Sequence, residues 1–111
     1  MSGSSSSAIV YAEKEEHTGS ITVSTPNGEL FTEVIFASYG LPTGSPGNYQ
    51  IGSCHSSTSL SKVEQYAIGN SSFTISASNG IFGDPCYGIQ KRLYMESVSY
   101  THLTLPTNRE V

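Results

Sequence analysis

A small, mainly β domain of antiparallel strands, with one helix and long loops, is the fold class that three observations in the sequence predict. Apolar residues recur in short stretches with a period of two, the alternation of a half-buried strand, and only one stretch has helical spacing. Charged residues make up 13% and hydrophobic ones 36%, with Ser, Thr, Gly and Asn filling much of the rest, which argues against a long exposed helix or a coiled coil. At 111 residues the chain can bury roughly two-thirds of its surface, enough for one core.

Residues 1–12 read as a flexible lead-in, Ser/Gly-rich from Met1 to about Ser7, and residues 13–100 as the domain. Ile21 and Val23 alternate with Ser20, Thr22 and Ser24 as a half-buried strand. Pro26-Asn27-Gly28 is a turn signal, so this strand is expected to form a hairpin with the next. That next strand, Phe31 to Ala37, contains Val34, Ile35 and Phe36, a density expected where both faces are covered. Gly40 to Gly52 holds four glycines and two prolines, an irregular loop of a length that tends to be functional. Leu60, Val63 and Ala67 set one face of a helix. Its cap is either the Ser61/Glu64 pair or Ser57 to Ser59, and Gly69 supplies the left-handed stop. Phe73, Ile75 and Ala77 alternate as a further strand, and Lys91 to about Tyr100 offers a last one with Leu93 and Met95 on one side. Ser97 to Val111, SVSYTHLTLPTNREV, resembles the conceptual translation of a sequencing adapter. That places the end of natural sequence near Glu96 and makes residues 101–111 an artefactual or disordered tail, with an ordinary polar C-terminus as the alternative.

Five Lys/Arg against nine Asp/Glu leave a net charge of −4 with no basic cluster, which argues against nucleic acid and anionic membrane as partners. No apolar run approaches the roughly 20 residues that span a bilayer, and the start lacks a basic n-region and a long h-region.

Two segments go beyond pattern, FASYG at Phe36–Gly40 and SNGIFGDPCYGIQKRL at Ser78–Leu93, with GNYQIGSCHSS between them. Together they resemble the rhamnose/galactose-binding lectin domain first described in sea-urchin egg lectin, the SUEL type, in the form found at the C-terminus of plant β-galactosidases. The resemblance covers about Ile21 to Glu96. It implies a small antiparallel β-sandwich-like lectin domain with one or two short helices, a shallow sugar site, and no catalytic residue, cofactor or metal. It carries the family's sugar contacts onto Tyr39, Asn79, Asp84, Gly88 and Lys91, and a further acid onto Glu16 or Glu15. Leu41 stands where the animal lectins carry an arginine. The chemistry suits a pyranose, whose vicinal hydroxyls both donate and accept: Asp84 and Glu16 accept, Lys91 donates, Asn79 does both, and Tyr39 offers a ring face or a hydroxyl. Each residue also has a plainer reading: Asn79-Gly80 and Asp84-Pro85 as ordinary turns, Lys91 as a solvated strand-end charge, Tyr39 as a core aromatic.

The resemblance also implies a disulfide between Cys54 and Cys86, the chain's two cysteines, which align with the family's fourth and seventh. The fifth and sixth fall on Ala67 and Phe73, the second on Thr25 and the eighth near Ser99. The residues themselves leave open two reduced thiols, a zinc site with His55 and distant His17, and a Cys54/His55 nucleophile. The expected function is carbohydrate binding, galactosyl or rhamnosyl, in a module linked to a catalytic or repeat domain and placed by the family in the extracellular or secretory compartment. The alternative is a binding-silent accessory module of a glycoside hydrolase or adhesion protein. Asn70-Ser71-Ser72 is an N-glycosylation sequon that bears on the same compartment.

Overall fold

The structure, a computed structural model, describes residues 5–102. Strands β1 (Ser5–Glu15), β2 (Ser20–Ser24) and β3 (Leu30–Gly40) are followed by helix α1 (Ser59–Ala67), strand β4 (Ser72–Ser76), helix α2 (Asn79–Phe82) and strand β5 (Arg92–His102). β5 lies between β1 and β3 in one antiparallel sheet, and β2 pairs with β4 in a second. Strict alternation along β5 buries Leu93, Met95, Ser97 and Ser99 while Tyr94, Glu96 and Val98 face the other way. The buried faces of both sheets meet in one core with Val63 and Ala67 of α1, and Phe31 meets Phe73 edge-on at 5.4 Å.

The lead-in expected over residues 1–12 is, from Ser5 onward, part of β1, which pairs with β5 along its whole length. Backbone groups make that ladder, so the polar composition of the serine run does not oppose it, and Val10 and Ala12 pack at the core. At the other end, Thr101 and His102 of the expected tail close β5, and the adapter-like stretch supplies that strand from Ser97 onward. The rest of the tail lies outside the described residues.

The expected hairpin does not form. β2 and β4 match in length and pair Ile21 with Ile75 and Val23 with Phe73, while the Thr22 and Thr74 hydroxyls meet at 2.8 Å. Pro26–Gly28 is a 3-10 turn that hands the chain from one sheet to the other, and Phe31 then bonds Asn70 and Gly69 through its backbone. β3 is not covered on both faces either. Register shifts between Phe31 and Glu33 and between Val34 and Phe36 each insert an extra residue, so Phe31, Val34 and Ala37 are buried while Thr32, Glu33 and Ile35 are exposed.

Helix α1 starts from Thr58, within the Ser57–Ser59 alternative, without a side-chain capping bond. Ser59 rather than Leu60 is the first buried position: its hydroxyl accepts from the Tyr39 backbone N–H at 2.9 Å and donates to the Ser56 carbonyl at 2.6 Å. Gly69 stops the helix with φ +85°, as expected.

Cys54 and Cys86 are disulfide-bonded across 32 positions, a loop whose closure is worth about 3.7 kcal/mol in the chain-entropy account. Where the resemblance places a second bridge, Ala67 and Phe73 are both packed in the core. Where it places a third, the Thr25 and Ser99 hydroxyls both donate to Glu29, at its carbonyl and its carboxylate, each at 2.6 Å.

The disulfide loop closes tightly on β3. Gly40 accepts this because a Cβ there would overlap the Cys54 carbonyl. Gly40→Ala is expected to lower stability by about 1–3 kcal/mol, the usual cost of overpacking, as a drop in urea midpoint at unchanged slope.

Candidate functional site

The buried stripe of β5 does not stop at Leu93. One alternation further back, just before the strand, stands Lys91, at 2% exposure, where the pattern calls for an apolar residue. Glu16, just past the end of β1, is its cross-strand neighbour and equally buried. The Glu16 N–H donates to the Lys91 carbonyl at 2.9 Å, and the Lys91 N–H donates to Glu16 Oε1 at 2.8 Å. The ammonium reaches Asp84 Oδ1 at 2.9 Å, Glu16 Oε1 at 3.5 Å, the Ile89 carbonyl at 2.8 Å and the Cys86 carbonyl at 3.1 Å. Lys91 is therefore no solvated strand-end charge. It is the buried cation on which the end of β1 and the loop from Asp84 to Ile89 converge.

Electrostatics follow from that burial. Desolvation alone raises the Glu16 carboxyl, but the Lys91 backbone N–H, the Lys91 ammonium and His17 outweigh it and hold the group below its ordinary value. Desolvation likewise opposes the charge on Lys91, yet Asp84 and Glu16 more than compensate and its affinity for a proton is raised.

Above this floor opens a cleft of about 350 Å³, at the small end of the roughly 300–1,000 Å³ of small-molecule sites. Glu16, Asn79, Asp84, Gly88 and Lys91, five of the six residues singled out from the sequence, line it together. Between the two acids considered, Glu16 is at the cleft, whereas Glu15 is exposed at the end of β1. Asp84 bonds Lys91 through Oδ1, which leaves Oδ2 as an acceptor on a side chain 30% exposed. Gly88 has φ +79° and open space where a Cβ would stand, so any side chain there would intrude toward the cleft.

Tyr39 is placed differently. Its ring is fully buried and stacks on Phe82 at 4.9 Å, so it presents no face to a ligand, and the core-aromatic reading holds for the ring. The hydroxyl donates to Asn79 Oδ1 at 2.7 Å, kept protonated by burial and then by the nearby Glu16 carboxylate. With Oδ1 committed, Asn79 keeps its Nδ2 donor for the cleft.

Sequence reasoning missed His17, Tyr87, Ile89 and Gln90, which also line the cleft. His17 follows Glu16, lies in the left-handed region at φ +65° and brings Nε2 to 2.9 Å from Glu16 Oε2. Tyr87 sits inside the GDPCYG string itself. The Gln90 side chain donates to the Glu16 carbonyl at 2.7 Å. The cysteines are consumed by their bridge, and among the described residues no three His, Cys, Asp or Glu side chains are placed to hold a metal ion.

A small β domain with an open, charged cleft, whose carboxylates are positioned by a buried lysine, has the build of a carbohydrate-binding module. Residues 23–99 match the family described as the D-galactoside/L-rhamnose binding SUEL lectin domain, and the chain belongs to that family. It is also similar to curated plant proteins: Beta-galactosidase 6 of Oryza sativa subsp. japonica is 39% identical over 63% of this chain, and Beta-galactosidase 7 of the same plant 45% over 60%. Beta-galactosidase 8 of Arabidopsis thaliana is 39% identical over 62% of it. The chain spans only 8–9% of the length of these relatives.

Lys91→Met is expected to cost about 3–5 kcal/mol, because it leaves Glu16 buried without its counter-charge, and Lys91→Met combined with Glu16→Gln should recover part of the loss in urea melts. The pH dependence has a definite sign. Glu16 is lowered from 4.5, so its contribution is complete above that pH and is lost as pH falls through the lowered value. Lys91 is raised from 10.5, so its contribution is complete below that pH and is lost as pH rises through the raised value. The urea midpoint should thus fall off below about pH 4.5, and Glu16→Gln should flatten that acid limb.

Proposed function

We propose that the cleft takes one rhamnose- or galactose-like pyranose, with Asp84, Glu16, Asn79 and Lys91 around its hydroxyls, Gly88 admitting the ring and Tyr39 acting from beneath through Asn79. The observation that carries this is the Asp84–Lys91–Glu16 array at 2.9 and 3.5 Å on the floor of an open cleft. It offers anionic acceptors held in place, beside an amide donor, within the span of a vicinal diol. Charge-assisted hydrogen bonds of this kind are about twice as strong as neutral ones, which suits a site that stays wet. The chain itself carries out no reaction in this reading. It serves as a binding module beside a catalytic or repeat domain of a longer protein, and single-site affinity is weak enough to need tethering.

The same reading places the protein in the extracellular or secretory compartment, where Asn70 of the sequon is accessible. Asn70 is exposed, and it precedes β4 while Asn79 follows it, so a glycan there would sit at the far end of that strand from the cleft. A second reading, the binding-silent accessory module, is favoured by Ile9, Leu30 and Ile35, each about half exposed on β1 and β3.

Titration with D-galactose and L-rhamnose at millimolar concentration, followed by amide NMR, separates the two. Sugar binding predicts saturable shifts at Asn79, Asp84, Gly88 and Lys91. Asp84→Asn should weaken the response at least about tenfold, since charged acceptors contribute roughly 1.5–3 kcal/mol, and should also lower the urea midpoint, because Lys91 keeps only Glu16 as counter-charge. No shift with either sugar favours the accessory module.

A further inference from the structure

Tyr87 is a large aromatic side chain at the cleft that the single-pyranose reading leaves without work. It is 92% exposed, while Asn79, Asp84, Lys91 and Glu16 around it are polar and partly or fully tied down. Its backbone is held firmly. The Ile89 N–H donates to the Cys86 carbonyl at 3.3 Å, closing a turn with Tyr87 and Gly88 at its corners, and the φ of +79° at Gly88 is the one a type II turn demands. Cys86 is bound covalently to Cys54, and the Lys91 ammonium holds the carbonyls of both Cys86 and Ile89. An aromatic ring is therefore carried on a turn pinned at both ends, at the rim of the site, with almost none of its surface covered. Ile89, on the other side of Gly88, adds a second half-exposed apolar group to the same rim.

A pyranose has polar edges and a face of C–H groups. The floor presents mostly polar groups, and the Tyr39 ring, buried and stacked on Phe82, gives it no aromatic face. We infer that Tyr87 forms an outer subsite that stacks against the C–H face of a second sugar, so that the ligand is a disaccharide unit or longer glycan rather than a free monosaccharide. Aromatic faces are electron-rich and attract the polarised C–H groups of a ring laid on them. A rigid turn leaves only the side-chain rotamer to be ordered on binding, which limits the entropic cost. This inference rests on the sugar-site reading and adds to it the length of the ligand.

Calorimetric titration of the wild-type chain, Tyr87→Ala and Tyr87→Phe tests it, comparing D-galactose with galactobiose and L-rhamnose with rhamnobiose. The expected result is that one disaccharide binds wild type about tenfold more tightly than its monosaccharide, a preference of about 1.4 kcal/mol. Tyr87→Ala abolishes that preference without weakening the monosaccharide, and Tyr87→Phe keeps it. A preference that survives Tyr87→Ala, a wild-type chain that binds both lengths equally, equal weakening of both by Tyr87→Ala, or a loss in Tyr87→Phe matching that in Tyr87→Ala each overturns the stacking subsite while leaving the primary site standing. A wild-type chain that binds none of the four sugars overturns the sugar-site reading, and the subsite with it.

Discussion

The ammonium of Lys91 lies almost wholly out of water, and the arrangement around it is the constraint from which the rest of the site follows. An isolated ion at such a depth is costly enough to lose its charge, so the fold must bring compensating groups to it. Those groups come from two places: Glu16 at the end of β1, far away in the chain, and the loop between α2 and β5, which supplies Asp84 and the carbonyls of the Cys86–Ile89 turn. The cation is therefore satisfied only when β1, β5 and the loop between α2 and β5 are assembled. The same contacts bond Asp84 through Oδ1, and Glu16 Oε2 meets the exposed His17. The stability of the fold and the geometry of the cleft floor are thereby one arrangement, and a change at Lys91 alters both.

A second layer supports the first from below. Tyr39 occupies the end of the β3 core face, stacked by Phe82, and its backbone N–H is taken by Ser59 at the start of α1. The Ser56 hydroxyl donates to the Phe82 carbonyl at 2.6 Å, which fixes the short helix α2 that carries Asn79. The Cys54–Cys86 bridge ties the same loop to the turn that carries Tyr87. Two loops too irregular to hold themselves are thus clamped by serine hydroxyls, a disulfide and one tyrosine. A site made of loops gains the precision otherwise found on strands.

Much of this is legible in the residues. The β2, β4 and β5 alternations, the long Gly40–Gly52 loop and the helix over Val63 and Ala67 follow from the order of side chains along the chain, and the grouping of Asn79, Asp84, Gly88 and Lys91 comes through the family resemblance. What is not legible there has a common cause. Strand partners are chosen by tertiary fit, so Pro26-Asn27-Gly28 has the look of a hairpin turn although β2 matches β4 in length and pairing. Bulges reset the side-chain alternation, so the apolar run of β3 has the look of a doubly covered strand. Backbone pairing ignores side-chain polarity, so the serine-rich start conceals the first three residues of an edge strand, Ser5–Ser7. Tyr39 and Tyr87 are both tyrosines beside a glycine in recurrent strings, and nothing local distinguishes the one that is buried from the one left in solvent.

The sequence by itself determined the class of fold, through local periodicity, and, through motifs shared with the family, which residues make up the candidate site. Only the tertiary structure decided which groups line the cleft and which hold them in place. It buried Lys91 and Glu16, turned Tyr39 into a support for Asn79 and left Tyr87 at the rim. The physical reason is that burial and charge compensation belong to neighbours in space, and residues such as Glu16 and Lys91, 75 positions apart, become neighbours only when the sheet is formed.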